Sequence, residues 1–495
     1  MRVHIVSLRR AFFIAPNVAL LLLVSNLRAQ STPIAPTPPS FAAIDSFVRA
    51  TMQRDRVPGA ALVITHHKDI VHVQGYGADG YGREVTPNTG FILGSLSKSF
   101  TALAVMQLVE QNRIALDAPV QQYLPWFRVR DVNASKQITV RHLLTHTSGI
   151  PTSAPQATQN STTLQDHARA LAKVELSHAP GGAHEYASPN YIVLGAIVEA
   201  VSGASYAQYV QQHVFDVLDM RHSFTDQARA MQQGMSQGHR YWFGFPVAAT
   251  LAYESDRMPT AALISSANDL GHYLVAQLNE GRYGERAVLS SHGMRTLHTP
   301  AAPSDGFSYA FGWRVSDMAS ETAVHHGGIV PHFRVKVTML PARGWGVAVL
   351  TNVSTSLPLP VTPTSHRLAD AIAKHLAGAP LVDTGTSHST IYLLITLGML
   401  LILSRQVVGL VRIDRWRARQ LSRSRTASLA DVALELLWPV AVVLVLPRVF
   451  GVPWSEIFRG SPDAAWWLVA MASLGLLTGL MKLGIFRAAR AFPTR

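Results

Sequence analysis

Three long apolar stretches near the carboxyl end constrain what this chain can fold into more than any other feature of its sequence. They cover residues 390–411, 428–446 and 464–486. Each is close to the ~20 residues that an α-helix needs to cross a bilayer. A segment in lipid must satisfy its backbone hydrogen bonds internally, which a helix does. The sequence therefore predicts three transmembrane helices after a larger polar part.

The basic residues are concentrated beside those apolar stretches. Residues 405–495 hold 13 Lys and Arg against five acidic residues, and residues 1–30 hold four Arg and no acidic residue, within a net charge of +13 for the whole chain. Charge placed in this way orients helices in a membrane, with the basic loops on the cytoplasmic side. We therefore expect no nucleic-acid partner, and we expect the loop 412–425 and the tail 487–495 to be cytoplasmic.

The amino terminus has the layout of a secretory signal peptide. Three Arg residues precede an apolar run at residues 11–25, and Ala29 offers a small residue for cleavage. We predict a signal peptide over residues 1–29, with an uncleaved anchor helix as the alternative. The Pro-rich segment 30–40 predicts a stiff tether. Residues 41–380 are then expected on the periplasmic side of a bacterial inner membrane.

The exported part shows strand patterns at both of its ends and helical patterns between them. The predicted strands are residues 60–66, 69–76, 311–315, 322–329, 333–340 and 344–351, and the principal predicted helices are residues 41–54, 95–112, 192–201 and 364–376. These patterns predict an α/β (α+β) domain in which one antiparallel sheet, flanked by helices, is assembled from both termini around an inserted helical lobe. A cleft between sheet and lobe is the expected place for chemistry.

Ser95 and Lys98 stand one helical turn apart at the start of the long predicted helix 95–112. Residues at that spacing lie on one face, so the hydroxyl and the amine are within reach of each other. A serine hydroxyl needs an adjacent base to act as a nucleophile. A lysine serves as that base only when burial or neighbouring cations lower its pKa. Ser and Lys also occur at this spacing by chance, and a solvated helix start is then the alternative.

Tyr186 is the second candidate catalytic residue, because it precedes the apolar helix 192–201. A phenol at that place would relay a proton between Lys98, the nucleophile and a leaving amine. A packed aromatic residue with no chemical role is the alternative.

A histidine and two glycines on a late predicted strand form the third candidate element. His326 is followed by Gly327 and Gly328, and glycines let another backbone approach a strand closely. The main-chain amides of Ser95 and Ile329 would then form an oxyanion hole, which is a large electrostatic contribution in acyl transfer. His326 considered alone is better explained as a structural residue.

These three elements, in this order, resemble the motifs of the serine β-lactamase and penicillin-binding-protein superfamily, in its class C-like branch. The surrounding residues 94–102, 108–110 and 141–150 are similar too, and the likeness extends over residues 41–375. The resemblance implies an acyl-enzyme mechanism with no metal and no organic cofactor.

Roles for individual residues follow from the same resemblance. It implies that Ser95 is the nucleophile and that Lys98 and Tyr186 are its acid–base pair. His326 takes the position at which the third motif usually has Lys. His146 lies within a family signature, and we interpret it as structural.

One departure points to a narrower group. Ser188 stands two residues after Tyr186, where the superfamily usually has Asn. Together with a signal peptide and three membrane helices, this serine is similar to that of the colibactin-maturing membrane peptidase and its relatives. Those enzymes remove an N-acyl-D-asparagine cap from exported nonribosomal peptide prodrugs. The resemblance implies a peptide-like small-molecule substrate, bound beside Ser188, and an exporter as a candidate partner.

Two other positions differ from that narrower group. Arg257 stands where the group has His, and Val330 stands where it has Asn. Arg would still donate hydrogen bonds to a carboxamide or a carboxylate, whereas the Val side chain cannot form hydrogen bonds. The resemblance therefore implies the reaction type, whereas these two differences do not support selectivity for D-asparagine.

Other classes of function fit the sequence less well. Residues 234–238 match the nucleophile elbow of α/β-hydrolases, but that motif needs a buried strand before it, and the preceding residues are polar. The chain lacks a His-Glu-x-x-His zinc motif and contains no Cys, which excludes thiol nucleophiles and disulfides. A non-enzymatic membrane sensor stays open, as do a class C-like β-lactamase, a D-alanyl carboxypeptidase and an esterase.

Overall fold

The computed structural model describes residues 40–155, 163–250, 255–354, 361–419, 424–450 and 453–491. The predicted signal peptide and almost all of the predicted tether lie outside the described residues, so both stay predictions. A compact unit begins at Phe41, the first residue of the first helix.

The strands and helices alternate irregularly along the chain. The strands are β1 (Gly59–His66), β2 (Asp69–Gly77), β3 (Phe91–Ile92), β4 (Gly238–Trp242), β5 (Phe245–Ala249), β6 (Ile264–Ser265), β7 (Arg282–Tyr283), β8 (Arg286–Ala287), β9 (Ala302–Ser304), β10 (Phe307–Tyr309), β11 (Arg314–Met318), β12 (Glu321–Val330), β13 (Phe333–Leu340), β14 (Trp345–Thr351) and β15 (Val353–Ser354). The helices are α1 (Phe41–Asp55), α2 (Ser97–Glu110), α3 (Val132–Ser135), α4 (Val140–Leu144), α5 (Leu164–Ala170), α6 (Pro189–Ser202), α7 (Tyr206–Val210), α8 (Gln227–Gln232), α9 (Ala267–Leu278), α10 (Ser291–His298), α11 (Thr364–Leu376), α12 (His388–Val411), α13 (Ile413–Ala418), α14 (Arg425–Phe450), α15 (Trp454–Gly460) and α16 (Pro462–Ala491).

Eight strands form one antiparallel sheet in the order β2-β1-β14-β13-β12-β11-β10-β9. Strand β1, from the start of the domain, pairs with β14 from its end, with Ala60 opposite Thr351 and His66 opposite Trp345. Strands β1, β13 and β14 are almost wholly buried along their length, as continuous apolar runs predict. The predicted fold class, a sheet built from both termini around a helical insertion, is confirmed.

The two faces of the sheet contribute to two separate cores. Along β1, Ala61 and Val63 pack with the inserted lobe, whereas Leu62 and Ile64 pack with helices α1 and α11. This alternation is the two-residue period of a strand. In the larger core, helix α9 packs on β1 and β14, and helices α2 and α6 pack on each other. The turn that precedes α2 contacts β12, which brings the start of α2 to the sheet.

Two predicted boundaries are wrong in informative ways. The predicted strand 311–315 begins only at Arg314, because Gly312 has φ +75° and lies against the main chain of α2. The predicted helix 95–112 begins as a 3₁₀ turn over Gly94–Leu96 and becomes α-helical at Ser97. That short turn changes how Ser95 is presented.

Among the described residues, the carboxyl end contains three helices long and apolar enough to cross a membrane, judged by length and composition. Their apolar spans are Thr390–Val411, Arg425–Val449 and Pro462–Ala488, the second of them longer than predicted. Helices α14 and α16 pack closely, since Gly479 on α16 lies against Leu436 on α14. In the same contact, Lys482 Nζ lies 3.1 Å from Glu435 Oε1.

Candidate active site

Ser95 is presented by a tight turn that joins β3 to α2. Gly94 has φ +56°, and a Cβ added there would lie 2.6 Å from the Ile329 main-chain nitrogen. A Cβ added at Gly328 would lie 1.8 Å from the Leu93 carbonyl oxygen. Only glycine permits two backbones to come so close. The Ile329 amide is thereby placed beside Ser95, whose own N–H begins a helix and so has no partner within it.

The second half of β12 forms an open edge next to this turn. Strand β11 begins at Arg314, opposite His325, so residues 326–330 continue beyond the start of β11. On their other side these residues pair with β13, from His326 opposite Val337 to Val330 opposite Phe333. Residues 326–330 therefore have a side with which β11 does not pair, and the approach of a substrate backbone along that side stays a prediction.

Contacts within the chain leave no room for a side chain at either glycine of this edge. Gly328 allows the close approach of Leu93, as described above, and a Cβ added at Gly327 would lie 2.1 Å from His366 Nε2 of α11. The two neighbouring glycines thus face opposite sides of β12. These two contacts were not predictable from the sequence, because Leu93 and His366 are distant from the glycines along the chain.

Lys98 is fully buried and shares a hydrogen bond with the Tyr186 side chain, and three further oxygen atoms surround its amine. Its Nζ lies 3.4 Å from Ser95 Oγ, 3.2 Å from Ser188 Oγ and 3.1 Å from the Thr260 carbonyl oxygen. In its neutral form the amine has two N–H donors and one lone pair, so it can accept the proton of the Ser95 hydroxyl while it donates to Thr260. The carbonyl of Thr260 can only accept.

The pKa of Lys98 is lowered from its ordinary value of 10.5. The main cause is burial, since removing an ammonium from water penalises its charged form. The neighbouring Tyr186 phenol opposes this effect, and the guanidinium groups of Arg257 and Arg314 add to it. The amine is therefore held closer to the neutral form that a general base requires.

Tyr186 and Ser188 approach Lys98 from the segment that leads into α6. The side-chain nitrogen of Lys98 lies 5.0 Å from the centre of the Tyr186 ring. Ser188 is the residue immediately before α6, and it reaches Lys98 through the hydrogen bond given above. Tyr186 was expected near the opening of a helix 192–201, but the helix begins earlier, at Pro189.

His146, which the sequence analysis interpreted as structural, packs directly against the catalytic candidates. Its ring centre lies 4.4 Å from that of Tyr186 and 4.7 Å from that of Tyr309. Its backbone has φ +58°, an uncommon conformation for histidine. Burial, and next to it the charge of Lys98, lowers the pKa of His146 well below 6.5, so the ring is neutral.

A chain of hydrogen bonds fixes the tautomer of His146. The Ser148 hydroxyl donates to Asn190 Oδ1 at 2.6 Å, which leaves the amide nitrogen of Asn190 to donate to His146 Nδ1 at 3.0 Å. The main-chain N–H of Ala187 donates to the same nitrogen at 3.2 Å. Since Nδ1 accepts both bonds, the proton of the neutral ring is on Nε2. No spacing rule connects residues 146 and 190, so sequence reasoning missed this network.

His326 is also buried and neutral, so it does not supply the charge of a lysine. Its Nδ1 lies 2.8 Å from the Gly327 carbonyl, which only accepts, and its Nε2 lies 3.2 Å from Tyr309 Oη. Burial, then Arg314 and Lys98, lowers the pKa of His326 well below 6.5. The ring therefore accepts a hydrogen bond from the Tyr309 hydroxyl.

Arg314 carries the positive charge on this side of the site. Its guanidinium carbon lies 5.7 Å from the centre of the Tyr186 ring and 4.7 Å from that of Phe307. Arg314 lies within a predicted strand, and its role was not predictable, because a single Arg in a strand pattern carries no signal of function.

The two positions that differ from the narrower group have different surroundings. Arg257 ends a 3₁₀ turn, Ser255–Arg257, and its charge acts on Lys98 as described above. Val330 is the last residue of β12, lies opposite Phe333, and packs against the larger core.

The alternative nucleophile Ser236 is not arranged as an elbow. Helix α8 precedes it and strand β4 follows it, the reverse of the strand–serine–helix order. Ser236 is buried, its hydroxyl lies 3.0 Å from the Gln237 carbonyl, and it accepts from Asn352 Nδ2 at 3.2 Å.

Known proteins are similar to the part of the chain that contains this site. The Beta-lactamase family model matches residues 44–371. Protein flp of Staphylococcus aureus (strain MW2) is 27% identical over 450 residues, which cover 89% of this chain and 88% of the relative. Esterase EstB of Burkholderia gladioli is 28% identical over 380 residues, 67% of this chain and 94% of the relative.

A solved structure shares the fold. The octameric penicillin-binding protein homologue from Pyrococcus abyssi superposes with a TM-score of 0.60 at 27% sequence identity, covering 69% of this chain and 78% of that one. The alignment with protein flp, by contrast, covers 89% of the chain and cannot be confined to residues 41–380. It therefore extends beyond those residues.

Proposed function

Because this chain belongs to the beta-lactamase family, whose members are serine hydrolases, we propose that it is a membrane-anchored serine peptidase that cleaves an amide bond through an acyl-enzyme. The observation that carries the proposal is the fully buried Lys98, with a lowered pKa, in contact with the hydroxyl of Ser95.

In the first step, Ser95 Oγ attacks the carbonyl carbon of the amide while its proton passes to the neutral amine of Lys98. The separation of 3.4 Å between the two atoms is long for a hydrogen bond, and such contacts tighten when substrate binds. The negative charge that develops on the carbonyl oxygen is stabilised by the main-chain amides of Ser95 and Ile329.

In the second step, the carbon–nitrogen bond breaks, and the leaving nitrogen takes a proton through Tyr186 from Lys98. The acyl group stays on Ser95 as an ester. Water then attacks this ester and gives a proton to the same acid–base pair, which returns it to Ser95. The contact of Tyr186 with Lys98 and His146 supports its place in this relay.

For the substrate, we propose an N-acyl-D-amino-acid cap, similar to D-asparagine, on an exported nonribosomal peptide prodrug. The support is Ser188, which lies beside Lys98 immediately before α6, together with Arg257, whose charge acts on the same amine. Arg257 would donate hydrogen bonds to the side-chain oxygen of the cap.

For the location, we propose a bacterial inner membrane with the catalytic domain on the periplasmic side and the carboxyl terminus in the cytoplasm. The support is the three apolar helices and the Arg residues between the first two of them. A substrate that is exported through the same membrane would then meet the enzyme as it leaves its exporter.

An esterase is the second candidate. The specific observation in its favour is the likeness to Esterase EstB, over 94% of that protein. The same acyl-enzyme chemistry cleaves esters, and a β-lactamase or D-alanyl carboxypeptidase activity would differ only in the substrate that the edge of β12 accepts.

The test offers N-acyl-D-Asn, N-acyl-D-Asp, a chromogenic cephalosporin and an ester to the membrane-bound enzyme, with products identified by mass spectrometry. We expect release of the acyl-D-amino acid, loss of turnover in Ser95→Ala and Lys98→Ala, and retained turnover in the control Ser236→Ala. Folding of each variant is checked by its melting temperature. Turnover of the ester alone would favour the esterase, and full activity of Ser95→Ala would refute both candidates.

A further inference from the structure

The hairpin of β4 and β5 exposes an apolar tip that the chemistry does not use. Its turn consists of Phe243 and Gly244, with φ +49° and +80°, the conformation that joins two strands by a tight turn. Around the turn, Trp242, Phe245 and Val247 are 36%, 59% and 44% exposed. Large apolar side chains grouped in this way on a surface mark an interaction site.

The tip contacts two of the apolar spans at their ends nearest the catalytic domain. The main-chain N–H of Phe243 donates to Asp463 Oδ2 at 2.8 Å, and its ring lies 5.8 Å from that of Trp467. Tyr392, at the start of α12, is buried against Gly244 and lies 5.5 Å, centre to centre, from the ring of Tyr241.

These contacts place the tip at the height where the spans begin. Asp463 is in the first turn of α16, and Trp467 is one turn further, about 6 Å along the axis. Tyr392 stands two residues after Thr390, at which the first span starts. The interface between water and lipid is the region in which Trp and Tyr concentrate in membrane proteins.

Two arginines flank the exposed rings. The guanidinium of Arg56 lies 4.3 Å from the centre of the Phe245 ring and donates to the Gly244 carbonyl at 3.2 Å. The guanidinium of Arg240 lies 5.7 Å from the centre of the Trp242 ring. Aromatic side chains with basic groups beside them match the boundary between acyl chains and phosphate headgroups.

We propose that the tip, residues Trp242–Val247, inserts into the lipid interface of the bilayer that α12, α14 and α16 cross. The proposal rests on the membrane location proposed above and adds a fourth point of attachment. The base of the hairpin is fixed to the catalytic domain, because β4 pairs with β15 and the His239 N–H donates to the Asn352 carbonyl at 2.7 Å. Insertion would therefore fix the orientation of the catalytic domain above the membrane.

Single cysteines test the proposal cleanly, since the chain has no Cys. A lipid-sensitive fluorophore is attached to Phe245→Cys at the tip, to Leu397→Cys on the first span, and to Val132→Cys as an exposed apolar control in the inserted lobe. The full chain is placed in nanodiscs with and without a lipid that carries a quencher. Labelling of Ser95 by a fluorophosphonate shows that each variant is folded.

We expect quenching at Phe245→Cys and Leu397→Cys to exceed that at Val132→Cys by about threefold or more, because the first two positions would contact lipid and the third would contact water. Quenching at Leu397→Cys alone would overturn the insertion of the tip and leave the membrane location standing. No quenching at Leu397→Cys would overturn the location and the insertion with it.

Two further outcomes bear on whether the tip inserts into lipid. The Phe245→Cys label could instead become shielded from water as the protein concentration rises, without any quenching by lipid. That result would show that a second copy covers the tip, and it would overturn the proposal. If Phe245→Cys does not fold, Val247→Cys replaces it, with the same expected result.

Discussion

Replacement of Gly328 by alanine tests the arrangement of the proposed oxyanion hole. The added Cβ would lie 1.8 Å from the Leu93 carbonyl oxygen, whereas real Cβ contacts are essentially never under 3.0 Å. Both partners belong to the backbone, so no side chain can rotate to relieve the clash. The segment that carries Ser95 and the edge of β12 must therefore separate by at least about 1.2 Å.

A separation of that size removes one of the two proposed donors. An oxyanion donor acts at about 2.7–3.1 Å from the oxygen, so the Ile329 amide would be left near 4 Å, beyond hydrogen-bond distance. Loss of one such donor costs about 10²–10³ in kcat, or about 2.7–4 kcal/mol. The effect should fall on kcat more than on KM, because the interaction is made in the transition state.

Gly327→Ala is the matched control, because the neighbouring glycine faces the opposite side of β12. Its added Cβ would meet the His366 side chain, not the turn that presents Ser95. We expect a lower melting temperature, a kcat much closer to that of the unmodified enzyme, and partial recovery of stability in Gly327→Ala/His366→Ala. The assay is steady-state hydrolysis of a chromogenic ester with the melting temperature of each variant measured in the same detergent.

The result that would refute this reasoning is specific. A Gly328→Ala enzyme whose kcat stays within about threefold of the unmodified value would mean that Ile329 is not an oxyanion donor. An equal loss of kcat in Gly327→Ala and Gly328→Ala at equal stability would mean that the whole edge, and not the approach to Ser95, is what matters.

Three other expectations follow from the electrostatics and hydrogen bonding of the domain. Activity should fall at acid pH as Lys98, whose pKa burial lowers, takes up a proton, and Arg314→Met should move this limb of the kcat/KM profile to higher pH because it removes a cation. Burial lowers the pKa of His298 to about 4, so below pH 6.5 the unfolded chain takes up a proton that the native state does not. The free energy of unfolding should therefore fall by about 2 kcal/mol between pH 7 and pH 5 because of this residue. In His298→Phe, the melting temperature should change less over that pH range. Asn190→Leu removes the donor to His146 and should lower the free energy of unfolding by about 1–3 kcal/mol, measured by denaturant titration, whereas an unchanged value would mean that the network is not stabilising.

The fold was largely predictable because its signals are local. Runs of apolar residues with a two-residue or continuous pattern marked β1, β12, β13 and β14 to within one or two residues. Strand β11 was misplaced, since the turn at Gly312 arises from contact with the main chain of α2 and not from the sequence around it. The three apolar helices depended only on length and composition, which sequence displays directly.

What the sequence determined by itself is that Ser95 and Lys98 are three residues apart at the start of a helix, a spacing that keeps them near each other in either a 3₁₀ or an α-helical turn. What only the tertiary structure decided is the chemical state of that pair. The amine loses its surrounding water because Thr260 and Ser188, far along the chain, close over it, and Arg257 and Arg314 add charge from two further segments. Burial and charge act through space, so they depend on residues that no local spacing connects.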